Sequence, residues 1–104
     1  MYERDYQAKL IKKLRLLFPG CFILKNDSGY LQGVPDLTIL YWEHWAVLEV
    51  KLSEDEPYQP NQEFYLDQLG RMSFSATIFP ENEEEVLHEL QLAFKRSGRE
   101  SRNT

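Results

Sequence analysis

The sequence predicts an α/β domain with the order α-β-β-β-α-β-α, a four-stranded mixed sheet flanked by helices. Three observations carry this. Apolar residues recur at helical spacing from Tyr2 to Phe18. Three short β-rich runs follow, broken by Pro19-Gly20, by Asn26-Asp27-Ser28-Gly29 and by Trp42-Glu43-His44. A helix-strand-helix pattern then closes the chain, as a sheet covered by helices requires.

The first helix is expected over residues 2–18. Leu10, Ile11, Leu14, Leu17 and Phe18 form its apolar stripe, and Pro19-Gly20 stops it. Cys21 to Lys25 reads as a strand, and Asn26 to Gly29 as a turn or loop. Leu31 to Pro35 reads as irregular. Asp36 to Tyr41 is the second strand and Trp45 to Leu52 the third. Its run Trp45-Ala46-Val47-Leu48 is apolar on both faces, as a central strand should be. Ser53 to Gln59 is an acidic loop. Pro60 suits the first turn of a helix to about Leu69, with Gly70 at its C-terminal cap. Ser73 to Phe79 is the fourth strand. Asn82 is placed to cap a last helix to about Phe94. Residues 1–96 therefore form one domain, and residues 97–104 a flexible polar C-terminal tail.

A chain of 104 residues buries roughly two-thirds of its unfolded surface, enough for one core. With 42% hydrophobic and 28% charged residues it falls in the globular range, which excludes disorder for its body. The single cysteine, Cys21, permits neither an internal disulfide nor a multi-cysteine zinc site, and it reads as a small core residue. No segment reaches the roughly 20 apolar residues of a membrane span. The charged start Met1-Tyr2-Glu3-Arg4-Asp5 lacks the apolar stretch expected of a signal peptide. A cytoplasmic setting, in a bacterium or a phage-infected cell, is the expectation.

The net charge of −5 counts against nucleic-acid binding, since binders usually carry basic excess. Its distribution softens the objection. Acids concentrate at Glu54-Asp55-Glu56 and from Glu81 to Glu85, whereas Lys9, Lys12, Lys13 and Arg15 cluster on the first helix. His44 and His88 have no partner at metal-ligand spacing and read as surface residues. Trp42, Trp45 and Phe64 read as packing in the core or an interface.

The chemistry is expected at Gly33-Val34-Pro35-Asp36 and Glu49-Val50-Lys51. Glu49 and Lys51 are two apart on a strand and share a face. In a hairpin turning at Glu43, Asp36 falls opposite them. Two carboxylates and an ammonium then meet within a few ångströms. Such carboxylates need compensation. Lys51 offers part of it, and a divalent cation the rest. Oxygen ligands from Asp and Glu suit Mg²⁺, which activates water and stabilises charge on a phosphoryl group. Glu3 shares a helical stripe with Gln7, Ile11 and Leu14 and is expected to bring a third carboxylate. Gln62, in the first turn of the following helix, could point back toward Lys51. Lys25, Asn26 and Ser28 could contact phosphate, as could Lys9, Lys12 and Lys13.

Pro35-Asp36 with Glu49-Val50-Lys51 resembles the signature of the PD-(D/E)XK nuclease superfamily. Gly33-Val34-Pro35-Asp36-Leu37, then Leu48-Glu49-Val50-Lys51, then Pro60-Asn61-Gln62, is similar to its virus-type replication-repair branch. The resemblance runs from Glu3 to about Ile78. It implies a restriction-endonuclease-like core and phosphodiester hydrolysis with Mg²⁺, or Mn²⁺ in its place. Asp36, Glu49 and Glu3 would ligate metal, Lys51 would be the catalytic lysine, and Gln62 matches the motif glutamine. It further implies a homodimer that acts on DNA, including four-way junctions, with no small-molecule cofactor. The acidic loop after Lys51 departs from the basic or neutral residues expected there. Two rivals follow from that acidity: a catalytically inactive nuclease-fold or DNA-mimic protein, and a nuclease subunit that requires a targeting partner.

Overall fold

The structure, a computed structural model, describes the backbone of residues 1–103 and the side chains of residues 1–95. Its elements are α1 (Glu3–Leu17), β1 (Phe22–Lys25), β2 (Leu37–Tyr41), β3 (His44–Val50), α2 (Gln62–Met72), β4 (Phe74–Ile78) and α3 (Glu83–Asn103). The expected order α-β-β-β-α-β-α is therefore the observed one. The expected tail at 97–104 falls outside the described side chains, and Thr104 outside the described backbone. Helix α3 itself continues past Phe94 to Asn103.

The four strands form one sheet in the order β1-β2-β3-β4. β1/β2 and β2/β3 are antiparallel, and β3/β4 is parallel. Trp42-Glu43 turns the β2–β3 hairpin, with Trp42 at φ 56° and Tyr41 paired to His44. α2 is the crossover that a parallel neighbour demands.

Alternation along the strands divides the sheet into two faces. Leu37, Ile39, Ala46, Leu48, Val50 and Ile78 are buried on one face with Tyr6, Leu10, Ile11 and Leu14 of α1 and Val86, Leu87, Leu90 and Phe94 of α3. Phe18, Tyr41 and Phe94 close the end of this core with ring centroids 5.0 to 6.0 Å apart. The other face carries Thr38, Val47, Glu49 and Lys51, and α2 covers only its β3–β4 half. None of the residues of α2 is fully buried.

Several local expectations change. Gly70 does not end α2. The helix runs on to Met72, and Gly70 instead leaves room for β4: a Cβ there would lie 2.8 Å from Ser75 Oγ, which donates to the Leu66 carbonyl. Pro60 lies ahead of α2, which starts at Gln62 after Asn61 in a left-handed conformation, φ 71°. Asn82 precedes α3 but faces backward, accepting from Phe79 N–H and donating to the Thr77 carbonyl. His44 is not a surface residue: its ring is half-buried and stacks on Phe94 at 5.4 Å. Trp42 and Phe64, expected in a core or interface, are exposed in the single chain. Among the described residues, no helix is long and apolar enough to cross a membrane.

Candidate metal centre

β3 is apolar from Trp45 to Leu48, and at its end Glu49 and then Lys51, just past the strand, follow Val47 on the α2 side of the sheet. Both are buried, 3% and 4% exposed. Two buried charges at a strand end are costly unless neighbours satisfy them, so their partners define the site.

Asp36 supplies the first partner. The hairpin register pairs Leu37 with Leu48, so Asp36, one residue earlier, falls beside Glu49. Asp36 Oδ2 accepts the Val50 N–H at 2.8 Å, which stitches the hairpin end. Its own carbonyl accepts Asn26 N–H. The Asn26 amide donates to the Pro35 carbonyl at 2.8 Å and to Thr38 Oγ1 at 2.9 Å. Asn26, expected to contact phosphate, thus spends both amide hydrogens holding the strand that presents Asp36. Lys25 and Ser28 beside it are exposed.

Gln62 is the second partner. Its Nε2 donates to Glu49 Oε2 at 2.8 Å. Its Oε1 accepts from Lys51 Nζ at 3.0 Å and from Gln59 N–H at 2.7 Å. One amide therefore clamps the acid and the base and also satisfies the Gln59 N–H in the loop ahead of α2. Gly33 sets where this clamp begins. It adopts φ +92°, and a Cβ on it would lie 2.6 to 2.7 Å from atoms of Pro60 and Asn61. Only glycine lets the Asp36 loop press against the start of α2.

Lys51 Nζ also donates to the Pro57 carbonyl at 3.3 Å, and it lies 3.5 Å from Glu49 Oε2 and 3.6 Å from Glu56 Oε2. Glu56 Oε1 accepts Leu52 N–H at 3.0 Å, which folds the acidic loop back onto the strand end. The Tyr58 ring centroid lies 5.7 Å from the ammonium. Sequence reasoning missed Glu56 and Tyr58, because the run Glu54-Asp55-Glu56 reads as one solvated block. The single hint is the need of a buried lysine for more than one counter-charge.

Glu49 is pushed up to about 7, first by burial and then by the Asp36 carboxylate, with Lys51 opposing. Its Oε1 is buried without any hydrogen-bond donor. A paired carboxylate with an orphan oxygen wants a proton or a cation. Glu3, at the open end of α1, is exposed and makes no hydrogen bond among the described residues. It is nonetheless close enough for burial, Asp36 and Glu56 to raise its pKa. No three His, Cys, Asp or Glu side chains among the described residues converge closely enough to hold a metal ion by themselves. Asp36 and Glu49 are the pair that meets, and Glu3 stands at the rim.

On the outer face of α1, Lys9 and Lys12 are exposed, whereas Lys13 is paired with Glu83 of α3. Glu83 also accepts from the Tyr6 hydroxyl at 2.9 Å. Burial, followed by this bond, raises the Tyr6 pKa. The basic cluster is thus smaller than its sequence suggests.

No family model, no curated protein and no solved structure matches this chain.

Proposed function

We propose that this chain is a metal-dependent endonuclease that hydrolyses phosphodiester bonds in DNA, of the kind its Pro-Asp…Glu-Val-Lys motif resembles. The observation that carries this reading is the buried, donor-less Oε1 of Glu49 against Asp36, beside a lysine clamped to the same carboxylate. A buried carboxylate oxygen facing a second carboxylate needs a proton or a cation, and a divalent cation bound there would satisfy Glu49 and Asp36 together.

The residues fit a hard divalent cation. Asp36 and Glu49 would hold Mg²⁺ or Mn²⁺, with water completing the shell and Glu3 reached through it. When bound, the ion makes a better nucleophile of water and stabilises charge on the phosphoryl group. Lys51 brings a fixed positive charge to the same place, where it stabilises the developing negative charge of the transition state. Gln62 and the Pro57 carbonyl hold that ammonium in one direction and so lower the reorganisation cost. Lys9 and Lys12 run along α1 away from Glu3 and offer a short phosphate track.

The reading extends to a homodimer. Phe22, Leu24 and Leu40 are exposed on the half of the sheet that α2 leaves open, and Phe22 pairs with Leu40 across β1 and β2. A symmetric pair of chains would cover such a patch and double the few phosphate contacts. Light scattering at micromolar concentration should give twice the chain mass; a monomer would remove this part.

One observation favours a second reading, a subunit that waits for a targeting partner. Glu56 already satisfies Lys51 in the isolated chain. Cleavage of linear, flapped and four-way DNA, with and without Mg²⁺, separates the two. Metal-dependent cutting that favours the branched substrates supports the first. A folded, pure protein that cuts none of them removes the first.

A further inference from the structure

A pocket of about 450 Å³ opens beside the candidate centre, lined by Tyr58, Gln59, Pro60, Asn61, Glu63 and Phe64. It shares a wall with that centre. The Tyr58 ring that lines it also lies over Lys51 Nζ, and Gln59 N–H donates to the same Gln62 oxygen that holds Lys51. Its two rings are oriented. The Tyr58 hydroxyl and Thr77 Oγ1 are 2.7 Å apart and share a hydrogen bond. Phe64 is 59% exposed yet fixed edge-on to Tyr65, with centroids 5.2 Å apart and planes at 76°.

The lining has no cation, and its one charge is the Glu63 carboxylate. A phosphate would be repelled. An uncharged planar group with a π-face and a polar edge would be accepted, since aromatic walls stack with any such face. The side-chain amides of Gln59 and Asn61 form no hydrogen bond among the described residues, so they are free to meet its polar edge.

We propose that this pocket receives an unpaired nucleobase adjacent to the phosphate held at Asp36, Glu49 and Lys51. The proposal rests on the nuclease reading and names its substrate class: DNA with an unstacked nucleotide at the cut, such as a flap or an open branch. A blunt duplex stacks and pairs its bases, leaving only the outer faces of its two end pairs, and offers no unpaired base. Phe64 lines the pocket and packs on Tyr65, and its exposure lets it be replaced without disturbing the core.

The test is fluorescence polarisation in EDTA with two labelled probes, a ten-nucleotide oligothymidine and a blunt duplex. Wild-type protein should bind the oligothymidine more tightly at equal salt. Phe64→Ala should weaken that binding about tenfold, the scale of one lost base stack, and leave the duplex within about twofold. Phe64→Trp should restore it. Unchanged oligothymidine binding in Phe64→Ala, or an equal loss on both probes, overturns the pocket. Binding is read without metal or cleavage, so the two readings fail separately. A chain that cuts DNA but ignores Phe64 loses only the pocket. A chain that never cuts yet shows the Phe64 effect keeps the base site and loses only the nuclease reading.

Discussion

The two faces of the sheet share the same strands and differ in almost everything else. Leu37, Ile39, Ala46, Leu48, Val50 and Ile78 alternate with Thr38, Val47, Glu49, Lys51, Ser75 and Thr77. The first set is buried under α1 and α3 and has no polar side chain to satisfy. The second meets α2 only on β3 and β4, where none of the helix residues is fully buried, and it ends in two buried charges. One face holds the fold together, and the other can therefore carry an electrostatically costly arrangement. Glu49 and Val50 are neighbours in sequence with opposite duties, because a strand turns successive side chains to opposite sides.

If that division is right, substitutions on the two faces should separate activity from stability. The largest effect is expected at the charged end. Asp36→Ala or Glu49→Ala should lower the cleavage rate on the order of a thousandfold or more, since metal placement and charge stabilisation vanish together. The fold should survive at a lower melting temperature, since Asp36→Ala frees the Val50 N–H and Glu49→Ala removes a partner of Lys51 and Gln62. Steady-state cleavage measured well below each variant's melting transition checks this, and wild-type cleavage by the folded variants would break the division.

Leu48→Ala sharpens it from the other side. Leu48 is fully buried in the core, so truncation should cost about 2–5 kcal/mol of stability by denaturant unfolding. Cleavage per folded molecule should remain at the wild-type level.

The metal-free site should itself destabilise the fold as pH rises. The Glu49 carboxyl is raised from its ordinary 4.5 to about 7 in the folded chain, so the folded state holds a proton that the unfolded state releases. That contribution is fully present below about pH 4.5 and is lost as pH rises through about 7. Glu49→Gln has no such proton to lose. In EDTA it should match wild type at pH 4 and exceed it at pH 8, by at most about 3 kcal/mol. Millimolar Mg²⁺ should close the gap by stabilising wild type alone. Equal urea midpoints at pH 8 would contradict the buried carboxylate pair.

How much of this was legible depended on distance along the chain. The strand period and the two-residue separation of Glu49 and Lys51 put both on one face, and the hairpin placed Asp36 opposite, all from local spacing. Gly33 was visible as part of a motif, but not as the contact with Pro60 and Asn61 that explains it. Gly70 misled because a glycine after an apolar run signals a cap locally, whereas its cause here is Ser75 on the next strand. Glu56 was hidden for the same reason. Its role depends on a loop closing back to Lys51, which no periodicity encodes. The basic cluster of α1 was overcounted, since the partner of Lys13 is 70 residues away.

That last point sets the smallest expected effect. Lys12→Glu should weaken DNA binding only severalfold and lower its salt dependence slightly, because one counterion fewer is released. Polarisation titrations at two salt concentrations measure both. An unchanged slope would make Lys12 a solvated residue outside the DNA track.

The most direct test of the nuclease reading is Lys51→Ala assayed beside wild type for Mg²⁺-dependent cleavage of branched DNA. The variant keeps both carboxylates and the whole apolar face, so it should fold with a wild-type circular dichroism spectrum and lose cleavage. Near-wild-type cleavage by the pure variant would contradict the assignment of Lys51, and with it the reading of this strand end as a catalytic centre.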